Sequence, residues 1–403
     1  MGLLDLPAEI RNHIYTLLFS PAANRTIGKG EQPTTYNFQQ TLSLLRTNKQ
    51  IRSEASAIFH AQNQFIVIDT PWAARAEHYV HFESKVPIVV SSDRVAAGGF
   101  EAWTMQARIH APDFGVPETG ARSFVVHLDD LAAFCRTWLC SDLSNPGLNS
   151  LLELEFVLRD PCAREWDEPR IAKETQRKLL LPFAAVKGLK RVSYSGPLSP
   201  LRSVVDELKK RMAEPYESPE SCLRRATAFK DEGNNALRLG KYEDALESYR
   251  LAWEAMHIVV NGRWRFEHAM EWYNKILLEE PYKGMQGQVV RLGLRVRLVA
   301  NTVQLYLLME RYEDAKFWGM RTINLLRQAI GLPLDTPAEQ PEDEVVANFL
   351  ADDVGKIYFR TAMACKALDD MYQARALLKV AAVYLPRDRR VKEEVAALAP
   401  RIL

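Results

Sequence analysis

Five residues, Lys241-Tyr242-Glu243-Asp244-Ala245, recur almost unchanged as Arg311-Tyr312-Glu313-Asp314-Ala315. A weaker third copy is Asp370-Met371-Tyr372-Gln373-Ala374. The sequence around each copy has a helical period, so we expect each copy to lie at the turn between two helices, with its alanine where they cross. The copies are unevenly spaced along the chain.

The whole chain has the composition of an ordinary globular protein. It has 403 residues, with 52 Lys and Arg against 51 Asp and Glu, and its length predicts two or three domains. The small net charge argues against a protein that binds nucleic acid by bulk charge. Five scattered cysteines without a C-x-x-C pair argue against a disulfide framework or a zinc site. We see neither a signal peptide nor an apolar run that could span a membrane, and expect a cytoplasmic or nuclear protein without a membrane partner.

Three regions differ in hydrophobic period. Residues 1–63 carry two helical patterns, and residues 222–403 are helical throughout. Residues 64–215 alternate between strand and helix patterns, which predicts an α/β domain, although the order of the 70–120 segment is not predicted. The expected fold class is therefore α+β with several domains. The predicted strands are Phe65–Ile68, Ser123–Val126, Leu152–Val157 and Arg191–Tyr194, and the predicted helices are Leu128–Leu139, Lys173–Val186 and Pro200–Met212.

The first helix of each predicted helix pair carries cations or amides four residues apart, hence on one face. These residues are Lys230 and Asn234, Arg297 and Asn301, and Lys356 and Arg360. Lys and Arg donate charge-assisted hydrogen bonds, and Asn adds neutral ones. Stacked helical repeats leave a concave groove lined by their first helices. The pattern therefore predicts a receptor for clustered carboxylates, such as a peptide C-terminus beside an acidic side chain.

The helical repeats resemble the tetratricopeptide repeat. In the first copy Gly233, Tyr242, Ala245 and Tyr249 match its alternation of small and large residues. The resemblance implies that residues 222–403 form an all-α superhelix. Since the period of that repeat is about 34 residues, the wider spacing of the motif copies implies two insertions, at about 257–290 and about 331–345.

The groove positions resemble the carboxylate clamp of co-chaperone tetratricopeptide domains. That pattern is Lys-x-x-x-Asn, Asn and Lys-x-x-x-Arg on the first, third and fifth helices, and Lys230-x-x-x-Asn234, Asn301 and Lys356-x-x-x-Arg360 match it. The resemblance implies binding to the Glu-Glu-Val-Asp tails of cytosolic heat-shock proteins 90 and 70. The lysines, Asn234 and Arg360 would grip the terminal carboxylate and the last Asp, and Asn301 would orient the peptide.

The N-terminus resembles a second family. Leu3-Leu4-Asp5-Leu6-Pro7-Ala8-Glu9-Ile10, followed by Ile14 and Leu17-Leu18, is similar to the opening of an F-box, and Leu45–Ala55 continues as in fungal F-box-like proteins. The resemblance implies docking to a Skp-type adaptor of cullin ubiquitin ligases and suggests a fungal origin. A small helical packing module without an adaptor partner is the alternative.

We interpret the chain as a non-enzymatic adaptor without metal or cofactor. His78 and His81 are three residues apart but lack the further ligands of a metal motif. Neither G-x-S-x-G nor G-x-G-x-x-G occurs. The alternatives are a repeat scaffold for a partner unrelated to chaperones or ubiquitin, and an enzyme in residues 64–215, which would need a pocket of converging ionisable groups.

Overall fold

The computed structural model shows a mixed α+β protein with a five-stranded sheet and a C-terminal helical region, which confirms the α+β class. It has two compact units, one of residues 1–216 with 257–272 and the other of residues 217–256 with 273–403. In the part of the chain that the structure describes, no helix is long and apolar enough to cross a membrane. The described residues are 2–28, 32, 34–72, 75–93, 95, 100–114, 122–163, 170–332 and 350–398.

In the residues that the structure describes, the first unit has five longer helices, a five-stranded sheet and a hairpin. The helices are α1 (Ala8–Phe19), α2 (Lys49–Gln62), α3 (Leu128–Ser144), α4 (Lys173–Leu180) and α5 (Arg202–Ala213). The strands are β1 (Phe65–Thr70), β2 (Trp103–His110), β3 (Arg122–His127), β4 (Glu153–Leu158), β5 (Arg191–Ser195) and the hairpin pair β6 (Ile258–Asn261) and β7 (Trp264–Glu267). Shorter helical turns and strands lie at Leu3–Asp5, Pro21–Asn24, Arg25–Thr26, Thr35–Tyr36, Gln39–Leu42, Ser43–Arg46, Arg75–His78, Tyr79–Glu83, Pro112–Phe114, Asn149–Leu151, Leu181–Ala185 and Met270–Tyr273.

The sheet has the strand order β3-β1-β2-β4-β5. Strands β1 and β2 are parallel, as are β4 and β5, whereas β1 pairs with β3 and β2 with β4 in antiparallel register. All four predicted strands are present. The central strand β2 was not predicted, although it has the required alternation, since Met105, Ala107 and Ile109 are buried on one face.

Both faces of the sheet are covered. Helices α3, α4 and α5 supply Phe134, Leu179 and Leu208 to a core on the face that carries Ile66 and Ile68. The opposite face packs against the N-terminal helices in a second, aromatic core of Tyr15, Phe19, Tyr36, Phe38, Phe59, Phe65, Val67 and Val125. The alternating side chains of β1 therefore point into two different cores. Residues before and after position 63 share the second core.

The second unit is a series of helices in which each motif copy begins a second helix. Its helices are α6 (Pro219–Arg238), α7 (Tyr242–Ala255), α8 (Gly287–Leu308), α9 (Tyr312–Ala329), α10 (Ala351–Ala367), α11 (Met371–Tyr384) and α12 (Arg389–Ala397). The helices pair as α6 with α7, α8 with α9 and α10 with α11. Ala245, Ala315 and Ala374 are completely buried, as expected for residues at helix crossings.

The predicted first insertion is divided between the two units. Residues 257–272, which contain the β6–β7 hairpin, belong to the first unit, and the chain joins the second unit again at Tyr273. Within the first unit, Phe82 lies edge-on against Phe266 of β7 with 5.6 Å between ring centroids. The predicted second insertion, at about 331–345, lies almost wholly outside the described residues.

Candidate functional site

Three helices of the second unit carry the six predicted binding residues. Helix α8 packs against both α6 and α10, so residues of all three helices can meet at one place. Each helix contributes one pair of residues four apart. We call the following set the donor cluster: Lys230 and Asn234 on α6, Arg297 and Asn301 on α8, and Lys356 and Arg360 on α10.

The Asn234 carboxamide lies at the centre of the donor cluster. Its Oδ1 accepts a hydrogen bond of 2.7 Å from Nδ2 of Asn301 and one of 2.8 Å from the hydroxyl of Tyr249. A carbonyl oxygen has two lone pairs, and these two bonds use both of them. The orientation of the Asn234 amide is thereby set, and its NH₂ group is left as the part that can donate to a ligand.

A glycine allows this arrangement. A Cβ at Gly233, one residue before Asn234, would lie only 2.5 Å from the Tyr249 ring. The ring therefore packs directly on the α6 backbone, and Tyr249 is 1% exposed. This close approach brings the Tyr249 hydroxyl to Asn234.

Arg360 of α10 contacts the backbone of α8 at Ala300, the residue before Asn301. Its Nη1 donates a 2.6 Å hydrogen bond to the carbonyl oxygen of Ala300, the neighbour of Asn301. Burial lowers the pKa of Arg360, while Tyr249 and Asp353 oppose that shift. Burial likewise raises the pKa of Tyr249 to about 12, against the influence of Arg360. Arg360 therefore lies against the backbone of α8 beside Asn301, and it interacts electrostatically with Tyr249.

The remaining two cations of α8 and α10 share one carboxylate, Asp353. Arg297 donates from Nε to Asp353 Oδ2 over 3.1 Å, and Lys356 Nζ is 3.4 Å from Asp353 Oδ1. The side chains of Arg297 and Lys356 are 44% and 45% exposed, whereas that of Asp353 is 19% exposed. Asp353 is not among the predicted residues, although its spacing of three residues from Lys356 was a usable signal.

Lys230 lies one helical turn before Asn234. Its Nζ is 2.9 Å from Asp231 Oδ1, the carboxylate of the next residue, and its side chain is 16% exposed. Residue Thr227, one turn further back on α6, has its hydroxyl 3.0 Å from that of Tyr282 in the loop before α8. The loop therefore lies close to the end of the α6 face that carries Lys230 and Asn234.

The contacts of five of the six predicted residues fall into separate groups on the three helices. Asn234 and Asn301 bond directly, Arg360 bonds the residue beside Asn301, and Asp353 links Arg297 to Lys356. Lys230 joins the set by its position on the same face as Asn234 rather than by a contact. Cations and amide donors from three helices are assembled in this cluster, an arrangement that suits a ligand with several carboxylate oxygens.

In the first unit, helix α1 presents its aliphatic residues outward, which differs from the expectation for an amphipathic helix. Its core face consists of Arg11, Tyr15 and Phe19. Leu17 is 58% exposed, and Ile10 and Leu18 are also exposed. The predicted apolar stripe is therefore available to a partner.

The inward Arg11 makes this orientation possible. Its guanidinium binds both carboxylate oxygens of Glu54 on α2, with bonds of 2.9 and 2.6 Å, and also donates to the carbonyl oxygen of Leu6. The hydrogen bonds from Arg11 and then from Gln50 lower the pKa of Glu54 to about 2. A buried charge is stable only when it is paired in this way.

A second group of ionisable side chains lies on the sheet, where Arg108 of β2 is 3.7 Å from Asp69 of β1 and 3.2 Å from Glu155 of β4. Within the described ranges, no group of three or more His, Cys, Asp or Glu residues is placed to hold a metal ion. His81 Nδ1 lies 3.0 Å from the Val86 carbonyl oxygen, a contact within its own segment, and His78 pairs with Glu83 at 3.7 Å.

The chain matches no family model, and a search of curated proteins gives no match. A functional proposal must therefore depend on the residues of the donor cluster and of α1.

Proposed function

We propose that the second unit binds the acidic C-terminal tail of a partner protein in the donor cluster, and that the chain is a non-enzymatic adaptor. The tail is of the Glu-Glu-Val-Asp type carried by heat-shock proteins 90 and 70. The observation that carries the proposal is the direct bond between Asn234 and Asn301, with Arg360 against the adjacent Ala300. Three helices thereby supply donors to one place.

The donors match the needs of a terminal carboxylate. Two carboxylate oxygens offer about four acceptor positions. The NH₂ group of Asn234, the second N–H of the Asn301 amide and the ammonium of Lys230 provide donors on one side. The bond to Ala300 uses one of the five N–H donors of Arg360. Charge-assisted bonds from Lys and Arg are about twice as strong as neutral ones, so these two residues would supply most of the affinity.

Calorimetric titration of the full chain with a peptide ending in Glu-Glu-Val-Asp tests the proposal. Each charge-assisted hydrogen bond is worth about 1.5–3 kcal/mol, so Lys356→Ala or Arg360→Ala should weaken binding by about tenfold or more. Lys379→Ala is the matched control, because Lys379 is an exposed cation on α11, a second helix of its pair. Equal losses in all three variants would contradict a role for the donor cluster.

A second proposed contact is the outward face of α1, which would dock a Skp-type adaptor of a ubiquitin ligase. The exposed Ile10, Leu17 and Leu18 support this proposal, since apolar side chains grouped on one helix favour a protein partner. Copurification of the full chain with such an adaptor should be lost in Leu17→Asp. Ile27→Asp, a change at another exposed aliphatic residue of the first unit, should leave it intact. Retained copurification of Leu17→Asp would contradict this docking.

A further inference from the structure

Asp353 is a carboxylate that already occupies part of the donor cluster. It bonds Arg297 of α8 through one oxygen and contacts Lys356 of its own helix through the other. It also acts electrostatically on Arg360. These are three of the four cations in the cluster.

The position of Asp353 in the first turn of α10 offers a simpler explanation, because acidic residues there stabilise the helix dipole. Asp352 lies in the same turn and meets that need equally well. What distinguishes Asp353 is its bond to Arg297 on a different helix, and that bond has no part in capping α10.

We infer that Asp353 is an internal competitor for acidic ligands and sets the selectivity of the donor cluster. The inference rests on the proposed peptide-binding function. It divides the cluster into one part that receives the ligand's terminal carboxylate and another part that Asp353 holds in the absence of ligand.

The accessibility of the three side chains supports this division. Arg297 and Lys356 are nearly half exposed, so an incoming carboxylate can reach them, while Asp353 is largely covered. An acidic side chain of the ligand must therefore displace Asp353 from the two cations or share them at the cost of repulsion between like charges. By contrast, the Asn234–Asn301 pair contains only neutral amides, and the bonds of Asp353 go to Arg297 and Lys356 instead.

The consequence is a preference among ligands. A terminal carboxylate bound by Asn234 and Asn301 displaces neither bond of Asp353, whereas an acidic side chain over Arg297 and Lys356 competes with Asp353 for both cations. The affinity for a peptide should therefore depend strongly on its free C-terminus. An acidic side chain of the peptide bound at Arg297 and Lys356 should add less to the affinity, because it competes with Asp353.

Asp353→Asn is the decisive substitution, because it keeps the side-chain shape and removes the charge. A peptide ending in Glu-Glu-Val-Asp should bind the full-length variant about threefold or more tightly than the wild type. Asp352→Asn, the matched control in the same helical turn, should leave the affinity unchanged. Thermal unfolding by circular dichroism shows whether both variants fold, and Asp353→Ser replaces Asp353→Asn if the latter does not.

Peptides with single Glu→Gln or Asp→Asn changes identify the competing side chain. The increase in affinity caused by Asp353→Asn should disappear for at least one such peptide, because that peptide no longer carries the charge that competes with Asp353. Equal or weaker binding by Asp353→Asn would overturn the inference and assign Asp353 to positioning Arg297 and Lys356. If neither wild type nor variant binds any of the peptides, the proposed function fails as well, so the two failures are distinguishable.

Discussion

Asn301 donates its side-chain N–H to Oδ1 of Asn234 over 2.7 Å, and this bond joins the first helix of one pair to the first helix of the next. The oxygen that receives it also accepts from Tyr249 on the second helix of the first pair. Three helices therefore fix one carboxamide, and its NH₂ group is set as a donor before any ligand arrives. Such preorganisation reduces the entropy that binding must overcome.

Removal of the Tyr249 hydroxyl tests the preorganisation. Tyr249→Phe keeps the buried ring and takes away one of the two donors to Asn234, which should lower the free energy of unfolding of the second unit by about 1 kcal/mol. Affinity for an acidic-tail peptide should fall several-fold, because the Asn234 amide is then held by Asn301 alone. Urea unfolding and calorimetry give the two quantities. Full affinity in Tyr249→Phe would show that its hydroxyl does not orient the site.

The contact between Gly233 and Tyr249 predicts a steric effect. Gly233→Ala should destabilise the α6–α7 pair by about 1–3 kcal/mol, because the new methyl group meets the Tyr249 ring at 2.5 Å. Gly240→Ala is the comparison, since a Cβ there meets nothing within 4 Å and only its φ of +72° is unfavourable. A residue with a Cβ in that left-handed conformation costs about 1–2 kcal/mol. A smaller loss for Gly233→Ala than for Gly240→Ala, measured by urea unfolding, would contradict the packing described above.

The Arg11–Glu54 pair predicts a pH dependence in the first unit. The folded-state pKa of Glu54 is about 2, below its ordinary value of 4.5. A carboxylate with a lowered pKa adds stability above its unfolded pKa, and this contribution is lost as the pH falls from about 4.5 through about 2. Glu54→Gln should therefore unfold at a lower temperature than wild type at pH 7, and the difference should shrink towards pH 2.

Scanning calorimetry at several pH values measures that difference. Glu9→Gln, a change at an exposed carboxylate on α1, is the control and should unfold near the wild-type temperature throughout. A difference between Glu54→Gln and wild type that stays constant from pH 7 to pH 2 would contradict the ion pair as its origin.

The regular elements could be predicted from the sequence because their signals are local. The motif copies do begin the second helices of three pairs, and the four strands named from their apolar runs are present. Strand β2 alternates as a strand should, with Gly98-Gly99 before it and Pro112 after it, but the residues at its centre, Met105 to Arg108, are neither β-branched nor aromatic, so its strand signal is weak.

Features that depend on distant contacts could not be predicted in the same way. The helical spacing of Ile10 and Leu17 does not reveal that they are exposed, or that Arg11 faces the core because Glu54, 43 residues later, neutralises its charge. The donor residues were identified by their spacing. The bond between Arg297 and Asp353 joins α8 to α10, and α9 and residues outside the described ranges lie between these two helices in the sequence. Their pairing depends on tertiary packing, which spacing within a single helix does not reveal.

The central claim is that the donor cluster recognises a free carboxyl terminus. Its most direct test is a calorimetric comparison of two peptides that end in Glu-Glu-Val-Asp, one with a free C-terminus and one amidated. Amidation removes a charge that Arg360, Lys230, Asn234 and Asn301 are placed to receive, so we expect the amidated peptide to bind at least about tenfold more weakly. Equal affinity for the two peptides would contradict the claim.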